Sequence, residues 1–155
     1  MKVQHSEFIR RPIAEVFDFV TDLRNETRWQ PEIISVTLDG PLAEGSTFRE
    51  RRVTFGRRFD WRFRVTRLEA SGSRRRISIE TITGACPYRG AREFTAVPGG
   101  TRVDERGELT LPAWLGALEP ALAYMSRRPL QIAYARLRRM LEAQPERVAL
   151  TRAAG

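Results

Sequence analysis

The sequence predicts an α+β domain in which a curved, seven-stranded antiparallel sheet wraps around one long C-terminal helix, with two short helices between the first and second strands. Three observations lead there. Apolar residues alternate with period two through much of the segment 33–111, Pro98-Gly99-Gly100-Thr101 marks a hairpin, and a helical period of apolar residues starts near Leu115. One helix covers only one face of so wide a sheet, so the sheet has to curl around it and turn its other face to water. The alternation of apolar and charged residues agrees with that.

Residues 2–9 read as the first strand. Pro12 opens a helix whose apolar face is Ile13, Val16, Phe17 and Val20. Asn25 to Trp29 form a second short helix, stopped by Pro31. Ile34, Val36 and Leu38 then alternate up to the Asp39-Gly40-Pro41 break, and Thr47 to Phe55 runs as far as Gly56. Phe59, Trp61, Phe63 and Val65 interleave with Asp60, Arg62, Arg64 and Thr66, the clearest half-buried strand in the chain. Ser71-Gly72-Ser73 turns it into a strand whose inward face is Ile77, Ile79, Thr81 and Thr83.

The last two strands, Arg89–Val97 and Thr101–Leu111, form the hairpin. A Gly99-Gly100 loop would set Phe94 opposite Glu105 and place Arg92 diagonally across from Glu105 on the same face. In the last helix Leu115, Leu118, Leu122 and Met125 mark one face, and Ile132, Ala133, Leu137 and Met140 continue it. Pro120 and Pro129 start or bend it locally. The expected organisation is one domain, 1–143, and a flexible tail, 144–155.

The chain has 155 residues, 41% hydrophobic and 30% charged, which is ordinary for a globular domain able to bury a core without staples. Cys86 is the only cysteine and His5 the only histidine, so neither an internal disulfide nor a structural zinc site is expected. No apolar run reaches membrane-spanning length, and Met1–Glu7 lacks the apolar core of a signal peptide, so a cytoplasmic location without membrane insertion is expected. The net charge is +8, almost all from arginine, in small clusters interrupted by acids. This reads as a solvated basic surface more readily than as a nucleic-acid footprint.

Five segments carry a resemblance to a known family. They are Ile9-Arg10-Arg11-Pro12-Ile13-Ala14-Glu15-Val16-Phe17-Asp18-Phe19-Val20-Thr21-Asp22, Trp29-Gln30-Pro31, Gly45-Ser46-Thr47-Phe48, Phe94-Thr95-Ala96-Val97-Pro98-Gly99-Gly100-Thr101-Arg102-Val103 and Leu137-Arg138-Arg139-Met140-Leu141-Glu142. Together they resemble the START-like (SRPBCC) superfamily, in its polyketide cyclase/dehydrase and lipid-transport branch, over about residues 3–143. The resemblance implies the helix-grip fold and a cavity between sheet and last helix. It implies no reaction, because members range from carriers and receptors to aromatase/cyclases and oxygenase domains.

Glu105 is the leading candidate for chemistry. The alternation Val103, Glu105, Gly107, Leu109 puts its carboxylate on the apolar inner face, where it is costly unless paired or protonated. It would orient a ligand or act as a general acid/base, with Arg92 as its partner. Trp61, Phe63, Ile79, Thr81 and Leu109 are expected to line the cavity, and Tyr88, Phe94, Tyr124 and Met125 to form its rim and lid. His5 and Glu7 share the inner face of the first strand. The resemblance sets that strand beside the last one, so Glu7 is expected to approach Glu105. Trp29 reads as a structural plug, Trp114 as structural or a gate, and Cys86 as a bystander thiol.

The reading that follows is a binder of a small hydrophobic or aromatic molecule, polyketide-like or lipid-like, working without a cofactor as a monomer or homodimer. Three alternatives stay open: a polyketide cyclase/aromatase using Glu105, sequestration of a toxic natural product for self-resistance, and nucleic-acid or partner binding through the arginine surface.

Overall fold

The computed structural model describes residues 1–145, so the expected tail lies outside the described residues from 146 onward. Strand β1 (Lys2–Ile9) is followed by helix α1 (Ile13–Thr21), a 3₁₀ turn (Leu23–Asn25) and the short helix α2 (Glu26–Trp29). Six strands follow: β2 (Ile33–Leu38), β3 (Thr47–Thr54), β4 (Arg57–Glu69), β5 (Arg74–Thr83), β6 (Tyr88–Val97) and β7 (Gly100–Leu109). A 3₁₀ turn (Ala113–Leu118) leads into α3 (Glu119–Glu142). All strands join one antiparallel sheet in the order β1-β7-β6-β5-β4-β3-β2. The fold is the helix grip, with a curved seven-stranded sheet around a long C-terminal helix.

The core fills the concave side of the sheet. Val16, Phe17 and Val20 of α1, with Leu23, Trp29, Phe48, Phe63, Val65, Phe94 and Val103, meet Ala133, Tyr134, Leu137 and Leu141 of α3. The last turn of α3 is tied down by Arg11, in the β1–α1 linker. Its guanidinium donates to the carbonyls of Leu141 (2.9 Å) and Glu142 (3.0 Å) at the helix end, the first of which also accepts from the Gln144 N–H at 3.2 Å.

Three registers depart from the sequence expectation. The hairpin loop is Pro98-Gly99, with Val97 paired to Gly100 and Arg92 directly opposite Glu105. Proline at the first loop position and Gly99 at φ 83° suit a type II turn, so the expected Gly99-Gly100 loop is replaced by one a residue earlier. In β2 a bulge between Ile33 and Ser35 reverses the alternation: Ile33 is 4% exposed and Ile34 48%. In α3 Ala133 and Leu137 are buried as expected, but the flanks of that face differ. Tyr134 and Leu141 are buried, whereas Ile132 is exposed and Met140 only partly covered.

The two ends of α3 differ in packing. Its buried residues all lie between Ala133 and Leu141, C-terminal to Pro129. Leu118, Tyr124 and Met125 are exposed, as is Trp114 just before the helix. Among the described residues no helix is long and apolar enough to cross a membrane.

Candidate functional site

The centre of the concave face carries a cluster of charges. Glu105 on β7 and Arg92 on β6 are cross-strand partners on the inner face, and the Arg92 Nε donates to Glu105 Oε2 at 3.1 Å. Arg92 Nη1 donates to Glu26, the first residue of α2. The Tyr134 hydroxyl, reaching down from α3, donates to the Glu105 oxygen that Arg92 also holds. Trp29, one turn beyond Glu26, covers the guanidinium with its ring, 5.2 Å from the centroid. Next to them Arg52 Nε donates to Glu50 at 2.5 Å, both on β3.

Charge balance within this cluster decides the protonation states. Among the described residues, Glu26, Glu50 and Glu105 pair with two guanidiniums, those of Arg52 and Arg92, and water is largely excluded from the carboxylates. Burial, opposed by Arg92 but reinforced by the negative Glu50, holds Glu26 above the ordinary carboxylate range. Burial alone would also raise Glu105, but Arg92, the Tyr134 hydroxyl and Arg52 together overcome it and hold Glu105 below that range. One guanidinium thus sits between two carboxyl groups pushed in opposite directions, the condition under which one serves as acid and the other as base. Burial, reinforced by the charge of Glu105, pushes the hydroxyls of Tyr88 and Tyr134 up, so both stay neutral donors.

Around the cluster Leu23, Phe48, Ile77, Ile79, Tyr88 and the backbone of Gly90 and Ala91 enclose a cavity with about 20 Å³ of free space, room for roughly one water. A larger hollow of about 450 Å³ lies among charged side chains on the outer face, over Ser78 and Ala91. Among the described residues no group of three His, Cys, Asp or Glu side chains is arranged to hold a metal ion.

Of the residues expected to form the site, Ile79, Tyr88, Arg92 and Glu105 line the inner cavity. Phe63 and Trp61 stand behind Tyr88: the Phe63 ring meets Tyr88 edge-on at 6.2 Å and Trp61 stacks on Phe63 at 5.7 Å. Thr81 accepts from the Tyr88 backbone N–H at 3.0 Å and so anchors the start of β6. Phe94 is wholly buried against Phe17, a core position and not part of a rim. Leu109 closes the end of the ladder opposite Tyr88 and does not reach the cavity. Tyr124, 74% exposed, and Met125 point to solvent and do not form its rim, because α3 meets the core only beyond Pro129. Trp29 is fully buried, Trp114 is 78% exposed, and the partly buried Cys86 thiol is pushed up by burial.

The expected approach of Glu7 to Glu105 does not occur. Glu7 pairs across the ladder with Val103, shares a 2.9 Å hydrogen bond with His5 Nε2, and accepts from Arg138 at 2.7 Å. His5 is the cross-strand partner of Glu105, but its ring lies against Tyr134, 4.8 Å between centroids. The carboxylate that joins Glu105 is Glu26. Sequence reasoning missed it, together with Tyr134, Glu50 and Arg52. The strand period did carry a signal for Glu50 and Arg52, which follow Phe48 at every second residue on the inner face of β3.

The outer arginines lie along the strands beside acids. Arg51 pairs with Asp60 (2.7 Å), Arg76 with Glu93 (3.2 Å), Arg102 with Asp104 (3.0 Å), Arg62 with Asp39 (3.4 Å) and Arg64 with Glu80 (3.7 Å). Such exposed pairs contribute little stability, and they disperse the positive charge.

Solved structures share this architecture. TTHA0849 from Thermus thermophilus superposes with a TM-score of 0.73 at 19% identity, covering 91% of this chain and 97% of that one. A START superfamily protein from Mycobacterium smegmatis gives 0.72 at 16% identity, with 91% and 97% covered. The Zhui aromatase/cyclase from Streptomyces sp. R1128 gives 0.71 at 13% identity, with 92% and 93% covered. At these identities the likeness concerns the fold. No curated protein matches the sequence. Residues 1–142 match the family described as polyketide cyclase/dehydrase and lipid transport. With the match running from β1 to the end of α3, the chain belongs to that family.

Proposed function

We propose that this protein binds a small, largely apolar or aromatic molecule, polyketide-like or lipid-like, between the concave face of the sheet and α3. The observation that carries this reading is the Glu26–Arg92–Glu105–Tyr134 cluster, a few convergent polar groups set in an apolar wall. Burial of the ligand would supply affinity, and the cluster would fix its polar end. The free space is far below the roughly 300 Å³ or more of a typical ligand site, so binding requires part of the wall to move. The sparsely packed first half of α3 is one such part.

The opposite shifts of Glu26 and Glu105 favour a second reading, a cyclase/aromatase. There Glu105 takes a proton from the carbon that attacks. Glu26 gives its proton to the carbonyl oxygen being attacked, the new carbon–carbon bond closes the ring and leaves a hydroxyl, and later loss of that hydroxyl with a neighbouring hydrogen as water makes the ring aromatic.

Thermal unfolding against aromatic polyketides, fatty acids and sterols tests the first reading. A ligand at 100 times its Kd adds about 2.7 kcal/mol, and a panel without any shift argues against the cavity as a ligand site. Glu105→Gln separates the two readings: turnover of a bound poly-β-ketone is abolished if Glu105 is the base, whereas a carrier retains binding.

A further inference from the structure

Two glycines face each other at the centre of the sheet. Gly90 of β6 and Gly107 of β7 are cross-strand partners on the inner face, one step along their strands from Arg92 and Glu105. Glycine inside a strand weakens it and marks a place where something approaches the backbone closely. Here that is the Tyr88 side chain. A Cβ on Gly90 would lie 2.5 Å from the Tyr88 hydroxyl oxygen, and one on Gly107 2.6 Å from it. The phenol therefore lies along a glycine shelf, within the lining of the cavity beside the charged cluster.

Packing holds that ring, on the glycines and edge-on against Phe63. Its hydroxyl makes no hydrogen bond among the described residues, although a partly buried tyrosine normally finds a partner. The backbone of Tyr88, by contrast, is anchored to Thr81 through its N–H and its carbonyl. The side chain can therefore leave the shelf without breaking a polar contact. Beside the shelf, Arg92 Nη2 donates no hydrogen bond among the described residues, while Nε and Nη1 are engaged.

We propose that the Gly90–Gly107 shelf is the ring subsite of the ligand, that Tyr88 occupies it in the empty protein as a stand-in, and that the ligand displaces it. The class is a flat aromatic ring bearing a phenol, enol or carbonyl oxygen that accepts from Arg92 Nη2. The inference rests on the small-molecule reading above and specifies how room is made for it.

2-Naphthol, a flat fluorescent phenol, serves as the probe, titrated into wild type, Tyr88→Ala and Tyr88→Ala/Gly90→Val. With the stand-in removed, Tyr88→Ala binds about tenfold more tightly, because the cost of displacement is gone. Valine on the shelf cancels that gain. Equal or weaker binding by Tyr88→Ala, with wild type binding, overturns the shelf alone. Binding by none of the proteins overturns both the shelf and the small-molecule reading. If Tyr88→Ala does not fold, wild type labelled with ¹³C-tyrosine decides: saturating 2-naphthol shifts the Tyr88 ring signal, and an unmoved signal overturns the proposal.

Discussion

Arg92 lies directly opposite Glu105 in the β6–β7 ladder and donates to it at 3.1 Å, while its other arm holds Glu26 on α2. A guanidinium that joins two carboxyl groups from different layers fixes helix to sheet. Arg92→Leu leaves both carboxyl groups without that partner in the core and costs about 3–5 kcal/mol in urea unfolding. Adding Glu26→Gln and Glu105→Gln recovers part of this, since the stranded charges are removed. A single variant as stable as wild type would show that the cluster is hydrated.

Glu26 gives a pH signature. Its pKa in the folded state lies above the ordinary glutamate value of 4.5. Above pH 4.5 the unfolded chain therefore loses this proton while the folded protein keeps it, and stability falls as pH rises through that window. Glu105 has the opposite sign: its contribution is complete above the unfolded value and is lost as pH falls through its lowered folded pKa. Relative to wild type, Glu26→Gln becomes progressively more stable as pH rises from 4.5. Urea midpoints at a series of pH values check this, and parallel curves would contradict it.

Tyr134 tests the roof of the site. Tyr134→Phe removes a donor from Glu105 and leaves the ring in place. A cost of about 1–3 kcal/mol is expected. The ¹³C titration of the Glu105 carboxyl moves upward in pH, because a bond to its charged form is gone. An unmoved titration would mean that the hydroxyl does not serve Glu105.

Gly100 tests the seam between β1 and β7. A Cβ there would run into the carbonyl oxygen of Ile9, a backbone atom unable to step aside. Gly100→Ala is expected to cost about 1–3 kcal/mol by chemical denaturation. Gly116 has open space around it, and Gly116→Ala should stay within about 0.5 kcal/mol of wild type.

The fold was legible because its strands are half-buried, and Phe59, Trp61, Phe63 and Val65 could alternate only in a sheet with one wet face. Glu105 and Arg92 were legible for the same reason, as charges on the dry side of that alternation. Glu26 was not, since a four-residue helix is too short to establish a period. Tyr134 was not, since it stands beside the expected Ala133 and Leu137, and a tyrosine next to an apolar stripe reads as readily as its wet flank as its buried centre. The bulge at Ile33 was likewise invisible to strict alternation.

The Pro98-Gly99 turn lies several residues along the hairpin from the Arg92–Glu105 pair, yet it sets the parity of everything between Tyr88 and Leu109. One residue added to or lost from β7 beside that turn would swing Glu105 to the wet side and bring a neighbour, Asp104 or Arg106, to face Arg92. Length changes there are tolerable only in pairs, so the site's chemistry is guarded by the arithmetic of a loop that never touches it.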